Sequence, residues 1–344
     1  MPASRTHFEP TTPVIACSDE LQMIKRNITA AVICFLNAAC TKGPASSAPQ
    51  QPAIDTRVLY PSSAAYDPGT RSLLVASYDG SLTRVALSAR APGGDLPPLA
   101  GHGRSQVFRV RIDSGRSRIW VLASDAVYLY DARSSRVVAR IALNAIGQHS
   151  SEHCFPDMAL DASGNALVSS AMLPRLMHID AATHGVTERT LEPNADHDKD
   201  FGLSALAFGP NGVTLYGASA TTGAVWKIDH ASGRAEKLEL SHPLFGACAL
   251  LAVRAQQPGI HDADVALYVA GGFRNEINRV DLRAGSRPSR VTAIHQASSV
   301  AVPTDLVAAD GEMLIVSSGL SDHPDFGGGG TRLASFPILR LQTP

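Results

Sequence analysis

Four irregular segments of the sequence concentrate side chains that could bind a ligand or a metal ion. Imidazole and carboxylate groups are ligands for divalent cations, and carboxylates also act as general bases. The segments are NAIGQHSSEHCFPD, EPNADHDKDFG, GGFRNE and SGLSDHPDFGGGG. The candidate ligand-binding residues in or just after them are His153, Asp157, Asp200, Ser204, Arg274, Asn275, His323 and Asp325. The chemistry open to this set is ligand binding or metal-assisted hydrolysis.

A metal site made of these residues would need ligands from separate segments. The candidate ligands for Ca²⁺, Mn²⁺ or Zn²⁺ are His153, Asp157, Asp200, His323 and Asp325. DHDKDFG lacks the glutamate that an EF-hand loop requires, and a solvated charged loop is its default interpretation. GGGG has no strand-to-helix context, and G-x-S-x-G, H-E-x-x-H and C-x-x-C are absent from the sequence. Asp157 is the candidate catalytic carboxylate, and no cofactor other than a divalent cation is indicated.

The elements that must position these segments repeat along the chain. A buried strand ending in two small residues recurs six times, at intervals of 46–52 residues, as LLVAS, WVLAS, ALVSS, LYGAS, LYVAG and LIVSS. An apolar run and a tight turn precede each copy, and a third strand follows it. A period in the forties is typical of a propeller blade, whereas a β-sandwich would not predict a sixfold period. The sequence therefore predicts an all-β, six-bladed β-propeller with four-stranded blades.

The two faces of such a propeller should differ. The chain alternates ends in a four-stranded meander, so the turns after strands one and three share one face. The loops after strands two and four share the other, which we call the loop-rich face, and it holds the candidate residues. Asp in the tight turns accepts local backbone donors, so the strand-ending aspartates are predicted to be structural. The segment Asp55–Tyr60 (DTRVLY) is predicted to pair into the sixth blade and close the ring.

The N-terminal region has the pattern of an export signal. In Met23–Cys40, the basic pair Lys25 and Arg26 precedes the apolar run Ile28–Leu36, which is too short to span a bilayer. Two alanines before Cys40 resemble the lipobox of bacterial lipoproteins, in which the cysteine is lipidated. The resemblance implies anchoring at the periplasmic side of the cell envelope, in the outer membrane. The alternatives are secretion and a cytosolic chain in which the apolar run occurs by chance.

The remaining organisation follows from these features. We expect residues 1–22 to be a non-native extension, 23–40 a signal peptide, 41–54 a flexible tether and 55–344 the propeller. The chain has 344 residues and a net charge of −1, so no overall field favours nucleic acid. The expected partners are a small molecule or an envelope protein, with membrane contact only through the lipid and a monomeric propeller. Cys154 and Cys248 lie two repeats apart, so free thiols are favoured over a disulfide.

The blade sequences resemble a known family. FPDMALDASGNALVSS and LSALAFGPNGVTLYGAS are similar to the SMP-30/gluconolactonase/LRE group and, more loosely, to NHL-repeat propellers, over residues 55–341. The resemblance implies hydrolysis of sugar lactones with a divalent ion at the channel mouth. In that group the ion is held by a glutamate leading into blade 1, an asparagine leading into blade 4 and an aspartate leading into blade 5.

This chain departs from that ligand pattern. The three positions correspond to Ser62, Ser204 and Cys248, while Asp157 matches a polar position beside the family's substrate site. Hydroxyl and thiol groups form a poor cage for a hard cation. Two hypotheses follow: a non-catalytic propeller that binds its ligand at the loop-rich face, or a hydrolase with relocated metal ligands. In the second, the cation would polarise a carbonyl and a carboxylate would accept the water proton.

Overall fold

The computed structural model describes residues 51–54, 56, 58–87, 94–95, 106–143, 156–193, 202–255, 265–282, 288–296, 302–326 and 338–342. Within these residues the chain forms β-strands and short 3-10 turns, without an α-helix, and the strands assemble into six sheets. The predicted all-β, six-bladed propeller with four-stranded blades is confirmed. Among the same residues, no helix has the length and apolar character needed to cross a membrane.

The strands follow one another around the ring in chain order. Those up to blade 3 are β1 (Gln51–Ile54), β2 (Pro61–Asp67), β3 (Ser72–Ser77), β4 (Leu82–Ala86), β5 (Gly94–Asp95), β6 (Val107–Asp113), β7 (Arg118–Ala123), β8 (Val127–Asp131), β9 (Arg136–Ile141), β10 (Met158–Leu160), β11 (Ala166–Ser169), β12 (Arg175–Ile179) and β13 (Val186–Thr190). The remainder are β14 (Glu192–Pro193), β15 (Ala205–Phe208), β16 (Leu215–Ala218), β17 (Val225–Ile228), β18 (Arg234–Lys237), β19 (Ala249–Arg254), β20 (Val265–Ala270), β21 (Glu276–Asp281), β22 (Arg290–Gln296), β23 (Val302–Ala309), β24 (Glu312–Ser318) and β25 (Ile338–Gln342).

The innermost strands form a closed ring around the axis. These are β2, β6, β10, β15, β19 and β23, and each contacts the innermost strands of its two neighbours, including β2 with β23. Several small side chains on these strands, Ala64, Ala159 and Ala205, are buried as expected. Larger apolar groups fill the space between neighbouring sheets; Trp120 of blade 2, for example, belongs to the same buried cluster as Met158 of blade 3.

The ring is closed by an N-terminal strand, although not by the predicted segment. β1 pairs antiparallel with β25 and completes the sheet of β23 and β24. The predicted closing segment was Asp55–Tyr60, whereas Gln51–Ile54 lies in the expected tether. Val58 and Tyr60 are instead buried at the entry to β2, and Tyr60 has a φ of 48°. The chain therefore needs these residues to turn from the outer edge of blade 6 to the axis.

The turn aspartates have the structural role that turn chemistry predicts. Asp180 Oδ1 accepts the backbone N–H groups of Ala182 and Thr183, at 2.9 and 2.7 Å. Asp131 accepts the N–H of Ser134 in the corresponding turn of blade 2. These side chains satisfy donors that a tight turn would otherwise leave unpaired, so they belong to the scaffold.

Candidate functional site: the central channel and its rim

The central channel is crossed by an arginine side chain. Arg109 lies on β6 of blade 2, and its Nε donates to Asp157 Oδ1 of blade 3 at 2.6 Å. Its Nη2 donates to the carbonyl of Cys248, which belongs to blade 5 on the opposite side of the ring. Its Nη1 lies 2.8 Å from the Phe108 carbonyl and 3.5 Å from the Ser62 carbonyl of blade 1. All three guanidinium nitrogens therefore contact protein oxygen atoms.

A second arginine extends this network to blade 6. Arg111 follows Arg109 by two residues on β6, so both side chains leave the same side of the strand. Its Nη1 donates to Asp305 Oδ2 at 3.0 Å and its Nη2 to Asp157 Oδ1 at 3.3 Å. Both aspartates are 0% exposed. Two carboxylates thus balance two guanidinium groups, which meets the requirement that buried charges be paired.

The two aspartates occupy corresponding places in opposite blades. Each carboxylate accepts the N–H of the following residue and an N–H of the next blade. The donors are Met158 (2.8 Å) and Leu206 (2.7 Å) for Asp157, and Leu306 (2.9 Å) and Ala64 (3.3 Å) for Asp305. The Ser63 hydroxyl also donates to Asp305, at 2.5 Å. Both carboxylates therefore tie neighbouring blades together in addition to neutralising the arginines.

The network keeps Arg109 and Asp305 charged. Burial by itself lowers the pKa of Arg109, but attraction to Asp157 and Asp305 outweighs burial, and the pKa is raised. For Asp305 burial acts in the opposite direction, yet the positive charges of Arg111 and Arg109 leave its pKa below the ordinary value. Each charge is stabilised by the opposite charge beside it, so removing one partner would leave the other buried and uncompensated.

Hydroxyl and thiol groups link four consecutive blades (4, 5, 6 and 1) at the start of their innermost strands. The contacts across blades are Ser204 Oγ to the Ala247 carbonyl at 2.5 Å, Cys248 Sγ to the Pro303 carbonyl at 3.1 Å and Thr304 Oγ1 to the Pro61 carbonyl at 3.1 Å. Burial raises the pKa of the Cys248 thiol to about 12, so the thiol keeps its proton and acts as a donor. Cys248 is a free cysteine, as predicted, while Cys154 lies outside the described residues.

The residues at the family's metal positions do not fit a divalent ion. The Ser204 hydroxyl and the Cys248 thiol use their protons on backbone carbonyls, and the Ser62 hydroxyl contacts the Ala76 carbonyl at 3.3 Å. The positive guanidinium of Arg109 already contacts the Ser62 and Cys248 carbonyls, and it would repel a metal cation placed there. In the described part of the chain, no group of three His, Cys, Asp or Glu side chains could hold a metal ion.

A second group of polar residues lies on the loop-rich face, where blade 6 meets blades 1 and 2. This rim clasp consists of Tyr60, Tyr78, Asp79, Gln106, His323 and Asp325. The buried ring of His323 makes edge contacts with the rings of Tyr60 and Tyr78, at centroid distances of 4.6 and 5.1 Å. A predicted site residue is therefore embedded in an aromatic setting at the mouth of the propeller.

Both ring nitrogens of His323 have partners in the rim clasp. The backbone N–H of Asp325 donates to Nδ1 at 3.1 Å, so Nδ1 is the unprotonated nitrogen of this arrangement. Nε2 then carries the proton and lies 3.2 Å from Asp79 Oδ1 of blade 1. Gln106 of blade 2 donates to Asp325 Oδ2 at 2.9 Å. The Asp79 and Asp325 side chains are about half exposed, which makes them the solvent-facing part of the clasp.

The other predicted residues have separate places. Arg274 ends a 3-10 turn after β20, and its Nε donates to Glu276 Oε1 at 3.0 Å. Asn275 follows in the left-handed conformation, with a φ of 57°. The structure thus brings His323 and Asp325 together at the rim and places Asp157 and Ser204 in adjacent blades of the channel. His153, Asp200 and Cys40 lie outside the described residues.

The sequence predictions missed most of the channel network. Arg109 and Arg111 alternate in FRVRID on a predicted innermost strand, and that spacing directs both toward one side. Asp305 in TDLVA stands where Asp157 stands in DMALD. Both patterns are visible in the sequence. The contacts of the two arginines of blade 2 with residues of blades 3, 5 and 6 form only when the ring closes.

Solved propellers from several functional classes have similar structures. Regucalcin from Agrobacterium tumefaciens strain C58, described as a calcium-binding protein, has 14% identity and a TM-score of 0.56, covering 84% of this chain and 93% of its own. PQQ-bound aldose sugar dehydrogenase from Streptomyces coelicolor has 13% identity and a TM-score of 0.55, covering 88% and 99%. A catalytically inactive virginiamycin B lyase from Staphylococcus aureus, with quinupristin, has 12% identity and a TM-score of 0.54, covering 79% and 81%.

These likenesses show the fold alone, because the identities are low and the matched proteins differ in activity. No protein-family model matches the sequence, and no curated protein matches it.

Proposed function

We propose that the protein is a non-catalytic binding propeller that takes a small ligand or a protein partner on its loop-rich face. The observation that carries this proposal is the Arg109 guanidinium, fixed by Asp157 and by the Cys248 carbonyl. A fixed positive charge stands at the channel positions where the SMP-30-like mechanism needs a metal cation. The ligand would therefore be held at the mouth, with the rim clasp as its best-defined surface.

The regucalcin likeness is compatible with this proposal but does not supply its chemistry. A metal-dependent lactonase with relocated ligands would need Asp157 as a ligand or base. The Oδ1 atom of Asp157 already accepts three N–H groups, from Arg109, Arg111 and Met158, and Oδ2 accepts a fourth from Leu206. Its acceptor capacity is therefore largely used by the protein itself.

Calorimetric titration of the purified propeller with Ca²⁺, Mn²⁺ and Zn²⁺ tests the absence of metal chemistry. We expect no stoichiometric binding and no hydrolysis of a sugar lactone in the presence of any of the three ions. Stoichiometric binding that is lost in Asp157→Ala, together with metal-dependent lactone hydrolysis, would overturn the proposal and establish the relocated-ligand hydrolase.

A ligand screen by thermal shift tests the binding role. A compound that stabilises the protein should lose its effect in Asp325→Asn, whose side chain is exposed in the rim clasp. The matched control is Asp180→Asn, which changes a partly exposed aspartate in a turn on the opposite face. If the thermal shift is retained in Asp325→Asn but lost in Asp180→Asn, the ligand binds on the face opposite the loop-rich face, which would contradict the proposal.

We also propose that the chain is exported and anchored through Cys40 in the cell envelope. Cell fractionation of the full-length chain and of Cys40→Ala tests this. The variant should move from the membrane fraction to the soluble or secreted fraction, whereas an unchanged distribution of the two proteins would contradict lipidation at Cys40.

A further inference from the structure

Blade 3 buries an arginine that the channel network does not use. Arg175 is the first residue of β12, next to the loop-rich face, and pairs with Thr190 on β13. The residue is 8% exposed. A guanidinium buried to this degree normally has all its donors paired, because an unpaired buried charge is costly.

The guanidinium of Arg175 is only partly paired. Its Nη1 donates to Glu188 Oε2 on β13 at 3.0 Å. Its Nε and Nη2 atoms are shielded from solvent and have no hydrogen-bond partner among the residues that the structure describes. These two nitrogens form the edge of the group on which two N–H bonds run parallel. That edge binds carboxylate and phosphate oxygens in pairs, so the unpaired donors have the geometry of an oxyanion fork.

The blade architecture does not require an arginine at this position. Leu176 pairs with Ser169 in blade 3, and Val225 pairs with Ala218 at the same register in blade 4. The residue before Val225 is Ala224, which is also buried, at 6% exposure. Blade 4 therefore has an alanine at the equivalent position. The fold itself does not require a buried, half-paired guanidinium in blade 3.

We propose that Arg175 is a binding site for an oxyanion, a carboxylate or phosphate group held by Nε and Nη2. The Glu188 carboxylate fixes the orientation of the guanidinium through Nη1 and leaves the Nε and Nη2 donors unused. The site is separate from the channel and from the rim clasp, and it stands or falls independently of the proposed binding role.

Thermal unfolding of the full chain in inorganic phosphate, acetate or chloride at equal ionic strength tests this site. Phosphate or acetate should raise the midpoint of the wild type above its value in chloride, because a ligand that binds the folded state stabilises it by mass action. The rise should be absent in Arg175→Ala, which the Ala224 precedent makes compatible with folding. In Arg175→Lys, which keeps the charge without the fork, anion affinity should fall by about tenfold.

Two controls keep the outcome specific. Arg71→Ala removes an exposed arginine on the opposite face and should retain the full rise. Circular dichroism of Arg175→Ala should match that of the wild type, which separates loss of the site from loss of the fold. No rise in the wild type in either oxyanion, or an equal rise in wild type and Arg175→Ala, would overturn the proposal.

Discussion

Single side chains decide what the channel of this propeller can hold. Asp157 and Asp305 are completely buried, and each carboxylate contacts at least one of the arginines of β6. Desolvating four charged groups is costly, and only their mutual pairing and the added backbone donors offset that cost. Within this network of described residues, each of the four charged groups already has a partner of opposite charge.

Replacement of one aspartate tests this balance. Asp157→Asn keeps the size of the side chain but removes the negative charge, and it leaves Arg109 buried without its nearest counter-charge. We expect a loss of about 3–5 kcal/mol in the free energy of unfolding, measured by urea denaturation.

The matched control for Asp157→Asn is a partly exposed ion pair on β21. Arg279 and Asp281 are 2.7 Å apart, and their side chains are 10% and 32% exposed, respectively. Asp281→Asn should cost less than Asp157→Asn, because solvent reaches the aspartate and screens the pair. Equal losses in the two variants would show that burial of the channel network adds nothing to its strength.

Individual elements of the propeller depend on the tight turns that join their strands. The pKa values of Asp131, Asp180 and Asp229 lie below the ordinary value of 3.8. The main causes are hydrogen bonds donated to the carboxylates by Ser134, Thr183 and Ser232 of the respective turns. Such bonds favour the ionised carboxylate, so the turns are more stable when the carboxylates are charged.

These turns predict a pH dependence of stability. A carboxyl with a lowered folded pKa stabilises the protein fully above its unfolded value of 3.8, and the contribution disappears as pH falls through the folded pKa. A variant with all three aspartates changed to asparagine keeps the acceptors but cannot titrate there. The wild type should be the more stable of the two at neutral pH, and the gap should close in acid. Urea unfolding between pH 7 and about 2.5 measures this gap, and a gap that is independent of pH would contradict the prediction.

The whole molecule depends on the seam between its first and last blades. On the loop-rich face, His323 of the rim clasp contacts Asp79 of blade 1. On the opposite face, Asp310 of blade 6 accepts hydrogen bonds from Tyr66, at 2.6 Å, and from Arg71, at 2.7 Å. β1 completes the outer edge of blade 6, so contacts near both faces and a strand at the perimeter hold the seam.

Truncation tests the role of the closing strand. A chain that starts at residue 51 keeps β1, and a chain that starts at residue 55 lacks it, although the two differ by only four residues. The shorter chain should lose roughly 2–4 kcal/mol of stability, from a few backbone hydrogen bonds at about 1 kcal/mol each and the packing of Ile54. It should also aggregate more readily, because the edge of β25 is then unpaired. Thermal unfolding with light scattering checks both effects, and identical behaviour of the two chains would contradict them.

The propeller could be predicted because its signals are local. A strand, a tight turn with Asp or Gly and the next strand are set by residues close together in the chain, and their regular recurrence specifies the ring. The turn role of Asp180 follows from the same local chemistry. The closing strand was placed incorrectly, because the outer edge of blade 6 can pair with any suitable segment that reaches it.

The contacts across the axis were decided by the tertiary structure alone. Arg109 meets Asp157 across 48 positions of sequence and Cys248 across 139. Local patterning shows only that the arginine faces the axis, whereas the partner depends on how many blades close the ring and on which oxygen atoms stand within reach. A long side chain can select among several acceptors, and packing of the closed ring leaves one arrangement in which every buried charge of this network is paired. That selection places Asp157, a predicted ligand-binding residue, in the buried charged network of the channel.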